Sequence, residues 1–570
     1  MIPENVKIND MTNEQLDLIV QCDNPNGCSI DTTSISDLFV IADAIGNFPA
    51  LANVISIVSE YYSPIYHLKW INSNIQRTNI ESVISSLIYP EFFLIITISF
   101  LLGFLVILDY KHNYHLILIK LSGKLMILLS ILTIFLLIKI PDNALIFHNL
   151  ITINFFNNFI KIIIISSLIL SIIISFDYLK LEKIYSYEYF ILVGLALIGM
   201  LTLISSNDLI LMYLGIEIQS LAFYVLATTK VYNNFSTEAG LKYFILGAFA
   251  SGLLLLGCSY VYGTFGTTNF EDIYQIYLIN NSVLAMPSLW FGISAVIIAI
   301  LFKIGAAPFH MWLPDVYEGV PTSVTAFFSI VPKIGIFALF VNLSLTLFNY
   351  NKFVINNILM YSAVLSILIG TLGALYQTKL KRLLAYSAIS HVGFWLLGFY
   401  SLNSYGFFSV FFYIIVYILI SINIFTILLI LRKRDNNLKI KKINELVVLF
   451  KTNPLLAINL AIILFSIAGI PPLVGFYSKL YIFISAIKTE IYLLAILAAI
   501  FSVAASLYYI RLIKLMFFKN FEHWVFLKEI SKSNSLIIAT TCIFNIFFFC
   551  YPEIFVLYIY NLILELFLFI

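Results

Sequence analysis

From Pro90 onward the chain is a succession of apolar segments. Each is close to the roughly 20 residues that a helix rising 1.5 Å per residue needs to cross about 30 Å of hydrocarbon. About fourteen can be counted, at 91–109, 121–140, 159–177, 187–206, 208–229, 239–262, 288–308, 321–347, 353–378, 383–400, 405–431, 454–484, 490–517 and 535–562. They are apolar on all sides, and backbone in lipid must satisfy its own hydrogen bonds, so the segments predict an all-α membrane protein and argue against an alternating β-barrel. Composition agrees: 61% of the 570 residues are hydrophobic and 11% charged, whereas soluble domains carry about 25% charged residues. A soluble enzyme is excluded. A formal charge of +2 leaves no basic face for nucleic acid.

Residues 1–89 read differently, with Asp, Asn, Glu, Ser and Thr throughout and one moderately apolar stretch, 38–58. This polar extension lacks the basic start and apolar core of a signal peptide and the Arg-rich pattern of a transit peptide, so it is expected to remain in the mature chain. Its Cys22 and Cys28 could bridge in an oxidising compartment, but two free thiols are the simpler expectation. Cys258, Cys542 and Cys550 lie in apolar runs, where a thiol is a small packing group. Loops after odd-numbered segments hold most of the cations, among them Lys111, Lys180, Lys230, Lys379, Arg382 and the run from Arg432 to Lys451. By the positive-inside rule those loops face inside, and an even number of spans leaves both termini and the extension outside.

Ionisable residues inside the apolar segments carry the functional information, because each costs about 2.5–3.5 kcal/mol or more to insert. Glu217 lies in LMYLGIEIQSLAFYVL, Lys242 in EAGLKYFILGAFASG, Lys303 in AILFKIGAAPFH, Lys333 in FSIVPKIGIFALF, His391 in AYSAISHVGFWLL and Lys479 in IPPLVGFYSKLYIF. Pairs that merely fix helix packing would account for some of them. A file of cationic groups with a single evident carboxylate fits a proton pathway better, since unpaired buried lysines cost stability. Lys303 precedes Pro308, and Lys479 follows Pro471 and Pro472, so two helices are expected to break beside a lysine. Broken helices in corresponding parts of two halves mark a transporter built from inverted repeats. A nearby carboxylate favours a charged lysine and dry surroundings favour a neutral one, so moving Glu217 relative to Lys303 would gate proton transfer toward Lys333, His391 and Lys479. No dinucleotide loop, Walker motif, metal cluster or activated nucleophile is legible.

Five collinear stretches carry a resemblance: SYEYFILVGLALIGMLTLISSNDLILMYLGIEIQSLAFYVLA, FSTEAGLKYFILGAFASGLLLLG, FKIGAAPFHMWLPDVYEGVPTSVTAFFSIVPKIGIF, QTKLKRLLAYSAISHVGF and AGIPPLVGFYSKLYIF. They resemble the subunit 2 (N subunit) family of respiratory complex I, the proton-pumping NADH:ubiquinone oxidoreductase, from about Pro90 to the C-terminus. The resemblance implies fourteen helices with two inverted five-helix repeats, about 187–347 and 353–517, in which helices 7 and 12 are broken. It places the family's essential glutamate on Glu217 and its lysines on Lys303, Lys333 and Lys479, with Lys242 and His391 on further motif positions. It also implies a chain that binds no cofactor itself, with NADH, FMN, iron–sulfur clusters and ubiquinone held elsewhere in the complex. Subunits 4 and 4L would be its neighbours, with accessory subunits and lipids beside them. The style of the motifs looks mitochondrial, which would put the chain in the inner membrane with both termini toward the intermembrane space. Two alternatives stay open: a subunit of a multisubunit sodium/proton antiporter, and a membrane scaffold whose buried charges only hold helices together. The extension is a departure from the family pattern.

Overall fold

The computed structural model describes residues 90–111, 115–139, 144–147, 149–184, 186–279, 286–346, 352–433, 439–519, 529–548 and 551–568. The polar extension, with Cys22 and Cys28, lies outside these residues, as does Cys550. Three helices come first: α1 (Pro90–Lys111), α2 (His115–Lys139) and α3 (Phe155–Leu181), with a two-stranded antiparallel hairpin, β1 (Ala144–Ile146) and β2 (Ile151–Ile153), between α2 and α3. The next group is α4 (Glu188–Ser205), α5 (Leu209–Ala227), α6 (Asn234–Phe265), α7 (Phe270–Ile279), α8 (Pro287–Ile304), the short α9 (Trp312–Gly319) and α10 (Thr322–Thr346). Then follow α11 (Lys352–Leu375), α12 (Leu380–Phe399), α13 (Ser404–Ile430), the single turn α14 (Leu449–Thr452), α15 (Pro454–Ala468), α16 (Val474–Lys488), α17 (Tyr492–Phe518), α18 (Lys532–Phe547) and α19 (Pro552–Leu568).

Every predicted apolar segment falls on helix, and eleven of the described helices are long and apolar enough to cross a membrane alone. The other three segments depart for local reasons. Segment 383–400 is α12, whose apolarity is diluted by Lys381, Arg382, His391 and two serines. Segment 454–484 is two helices of 15 residues each, α15 and α16, separated at Gly469 and Pro471–Pro472. Segment 535–562, expected as one helix, is α18 followed by α19, and Pro552 opens α19 because proline offers no N–H to continue a preceding helix.

The core is built on α10, whose apolar window is buried throughout. It packs against α3, α4 and α13. Phe337 of α10 stacks on Phe411 of α13 at 5.5 Å between centroids, and Phe156 of α3 meets the same ring at 5.7 Å. A helix apolar on every face is the one that belongs inside, and α10 is the helix that this arrangement surrounds.

The cation-rich ends of α3, α5 and α13 converge on one carboxylate. Glu182 forms ion pairs with Lys230, with Arg432 at 2.7 Å and with Lys439 at 2.8 Å, and the Lys439 ammonium also donates to the Tyr178 hydroxyl at 2.6 Å. Burial alone would raise the Glu182 carboxyl, but Lys230, Lys439 and Arg432 outweigh it and hold it at about 2 instead of 4.5. A group whose folded value is depressed contributes stability that is present above pH 4.5 and is lost as the pH falls from there toward about 2. Glu182→Gln leaves the buried Arg432 without its counter-charge and should cost about 3 kcal/mol. A fall in the thermal midpoint of the detergent-solubilised protein at neutral pH, shrinking below pH 4.5, checks this. An unchanged midpoint would mean that the cluster is only solvated charge.

Candidate functional site

Glu217, Ser220 and Tyr224 sit three and seven positions apart on α5 and so share one face. The Ser220 hydroxyl donates to one oxygen of Glu217 at 3.3 Å, while the other oxygen is buried with no hydrogen-bond partner. Lys303 occupies the last turn of α8. Its ammonium is buried without a hydrogen-bond partner, 5.9 Å from the centre of the Tyr224 ring and within electrostatic range of Glu217, although the two form no direct ion pair. The helix stops beside it because Gly305 takes φ +81°, where its N–H meets the Leu301 and Phe302 carbonyls; the Ala307–Pro308 peptide that follows is cis. Trp312 Nε1 donates to the Phe302 carbonyl at 3.0 Å and closes the break. Lys303 therefore belongs to the last turn of a half-helix, the end whose dipole favours a positive charge.

Beyond Lys303 lies a cavity of about 30 Å³, bounded by Ser220, Lys303, Trp312, Tyr317 and Lys333. That is space for roughly one or two water molecules, and the polar groups around it suit them. It joins the first helix break to α10, where Lys333 follows Pro332 inside a continuous helix. The Lys333 ammonium donates to the Tyr417 hydroxyl at 3.2 Å and lies 4.8 Å from that ring and 5.4 Å from Trp395. The Tyr417 ring is in turn 5.4 Å from His391.

His391 on α12 is held between two phenols, with Nδ1 2.7 Å from the Tyr413 hydroxyl of α13 and Nε2 3.3 Å from the Tyr509 hydroxyl of α17. It is within electrostatic range of both Lys333 and Lys479. Lys479 on α16 donates to the carbonyl of Ala468 at 2.8 Å, the last residue of α15. There Gly469 takes φ +88° and the Pro471–Pro472 peptide is cis. Both breaks thus share a left-handed glycine, a proline peptide and a lysine, which is Lys303 on the preceding half-helix at the first and Lys479 on the following half-helix at the second, where it donates to a half-helix carbonyl.

Five of the six ionisable residues expected from the sequence fall into this row: Glu217, Lys303, Lys333, His391 and Lys479. Lys242 does not. It is 45% exposed on α6 and pairs with Glu238 at 2.7 Å and Asp315 at 3.4 Å, because its position near the start of a 32-residue helix puts it outside the buried core. Sequence reasoning missed the hydroxyls of Ser220, Tyr413, Tyr417 and Tyr509. The signal for two of them is Tyr413 and Tyr417 four apart on one face of an otherwise apolar helix. It also missed a buried ion pair, Lys161 with Glu91 at 2.7 Å between α3 and α1, which the cost of a lysine inside FIKIIII would have flagged.

Residues 206–505 match the family model described as the NADH:quinone oxidoreductase/Mrp antiporter transmembrane domain. The chain is 42% identical over 473 residues, 82% of its own length and 95% of the relative's, to the NADH-ubiquinone oxidoreductase chain 2 of Marchantia polymorpha. It is 39% identical over 393 residues, covering 69% of this chain and 80% of the relative, to the NADH-quinone oxidoreductase subunit N of Rhodospirillum rubrum. Among solved structures, a chain of Thermus thermophilus respiratory complex I superposes with a TM-score of 0.67 at 24% identity, over 81% of this chain and 98% of that one. A chain of the Mrp complex from a Dietzia species superposes with a TM-score of 0.70 at 16% identity, over 84% of this chain and 97% of that one. At those identities the two structures speak for a common fold only.

Proposed function

Because the chain belongs to the NADH:quinone oxidoreductase/Mrp antiporter family, alongside the chain 2 and subunit N proteins, we propose that it moves protons through the row from Glu217 to Lys479 as part of the membrane arm of respiratory complex I. The observation that carries this is the row itself: five protonatable groups drawn from α5, α8, α10, α12 and α16, spanning both helix breaks. A buried ammonium is favoured by a nearby carboxylate and disfavoured by dry surroundings. When Glu217 draws close, Lys303 keeps its proton. When the pair separates, the proton passes through water in the cavity to Lys333, then by the Tyr417 hydroxyl toward His391. The Tyr413 and Tyr509 phenols hold that imidazole by both nitrogens, and Lys479 takes the proton at the second break.

Moving one charge against the membrane potential costs about 2.3 kcal/mol per 100 mV. In this reading the energy comes from redox chemistry in other subunits, and NADH, FMN, iron–sulfur clusters and ubiquinone are bound there and not by this chain. Its neighbours would be subunits 4 and 4L, accessory subunits and membrane lipids. The identity to a plant chain 2 supports the mitochondrial inner membrane, with the cation-rich loops toward the matrix and both termini toward the intermembrane space.

Native membranes solubilised in mild detergent, separated on a native gel and stained for NADH dehydrogenase should carry this chain in the active band. A separate band with sodium-dependent proton exchange would favour the antiporter alternative. Within the complex, Glu217→Gln should lower NADH-driven proton transport at least about fivefold, the effect of about 1 kcal/mol on a barrier, while leaving assembly nearly intact. Loss of assembled complex with normal activity per complex would contradict the reading.

A further inference from the structure

The short helix α9 has two unlike faces. At about 100° per residue, Trp312, Val316, Leu313 and Tyr317 fall within one arc, and Asp315 and Glu318 fall opposite. Trp312, Leu313 and Tyr317 form one wall of the cavity that holds Lys303 and Lys333. On the far side, Asp315 pairs with Lys242 of α6 at 3.4 Å and with Arg382 of α12 at 3.6 Å. Glu318 pairs with Arg382 at 3.2 Å and with Lys379, immediately before α12. One thin helix therefore separates the two buried lysines from the charged, cation-rich end of the bundle.

Its attachment differs from that of the rest of the bundle. Non-helical backbone lies on both sides, the break from Gly305 to Met311 before it and Val320–Pro321 after it. The inner face is held by the hydrogen bond from Trp312 to the Phe302 carbonyl and by stacking of Trp312 on Tyr243 at 4.7 Å. Besides Lys381 of α12, which donates to the Val320 carbonyl at 2.5 Å just after the helix, and Gly319, which packs closely against Phe235 and Ala239 of α6, the outer face is held by ion pairs whose side chains are between 22% and 54% exposed. Water reaches such pairs and competes with them, so they are easily exchanged. The Glu182–Arg432 pair is the contrast, with Glu182 9% and Arg432 2% exposed.

We propose that α9 is a lid between the Lys303–Lys333 cavity and the cation-rich face, and that Asp315 and Glu318 are positioning residues that latch it to α6 and α12. With the latch closed the cavity is shut from that face; with it open, water enters and connects the lysines to the aqueous phase. Lys242 thereby gains a place, as one of the cations that hold the lid instead of a member of the row. The inference rests on the proton-transport reading for its purpose, but the opening of the lid is measurable without it.

The test uses the whole complex in sealed membrane vesicles. Leu313→Cys places a thiol on the cavity wall, and its alkylation by a membrane-impermeant maleimide supplied on the cation-rich side reports access. Neutralising the latch with Asp315→Asn and Glu318→Gln should raise that labelling rate about tenfold and lower the protons moved per NADH oxidised, while NADH oxidation continues. The swap Asp315→Glu with Glu318→Asp keeps both charges and should restore slow labelling and the proton ratio. If the double neutral variant does not assemble, Glu318→Gln alone serves, with a smaller rise expected. A labelling rate unchanged by latch neutralisation overturns the lid, and so does a rise that the charge-keeping swap fails to reverse, since that is general loosening. Normal proton transport in Lys303→Met would instead overturn the transport reading, whatever the labelling shows.

Discussion

Lys303→Met is expected to leave the chain folded and assembled while NADH-driven proton transport falls at least about tenfold, equivalent to about 1.4 kcal/mol or more on the limiting barrier. Two features set this direction. The ammonium has no hydrogen-bond partner and no direct ion pair, so removing it breaks no hydrogen bond or salt bridge. Methionine fills a similar apolar volume against Tyr224 and the cavity. Yet Lys303 is the group that stands between the Glu217 carboxylate and the water-sized space leading to Lys333. Without it the cavity still joins α8 to α10 but holds no proton carrier at its entrance. If buried charges here served only to hold helices together, the variant would keep normal transport per assembled complex. Comparing proton uptake with the quantity of complex on a native gel separates these outcomes.

Gly475→Ala is expected to damage the fold and not the chemistry, at a cost of about 3 kcal/mol or more. A β-carbon at this position would lie 1.8 Å from the carbonyl oxygen of Ser466 and 2.6 Å from its carbon. Both are backbone atoms, so no side-chain rotation relieves the collision, and α16 must shift away from α15. That movement also stretches the hydrogen bond from the Gly475 N–H to Ser466 Oγ, now 3.2 Å, and the one from Ser466 Oγ to Asn545 of α18, now 3.1 Å. Because Lys479 is one turn further along α16 and donates to the Ala468 carbonyl across the same seam, its position is disturbed as well. The expected result is a lower thermal midpoint and less assembled complex. Wild-type stability and yield would show that the two half-helices are not in tight contact.

Much of this was legible because a membrane imposes simple rules. A backbone in hydrocarbon must be helical, so apolar length alone located the helices, including those whose ends differ by a few residues. Charge inside those helices is costly enough that Glu217, Lys303, Lys333, His391 and Lys479 could be picked out one by one, and proline chemistry pointed to both breaks. The same rule misplaced Lys242, since membership of an apolar segment does not tell whether a side chain faces the core or the cation-rich rim. It gave no warning that the last segment divides before Pro552 into two helices, and no reason to notice hydroxyls that cost little to bury.

The sequence by itself determined that the chain spans a membrane with helices, which ionisable groups must be sheltered and where two helices break, because each follows from the solvation of local groups. Only the tertiary structure decided which sheltered groups meet. The phenols of Tyr413 and Tyr509 reach the two nitrogens of His391 from α13 and α17, 22 and 118 residues away in sequence. The water-sized space between Lys303 and Lys333 exists because α5, α6, α8, α9 and α10 leave it unfilled. Such contacts depend on how helices far apart in sequence pack together, and no local rule of hydropathy, spacing or charge contains that information.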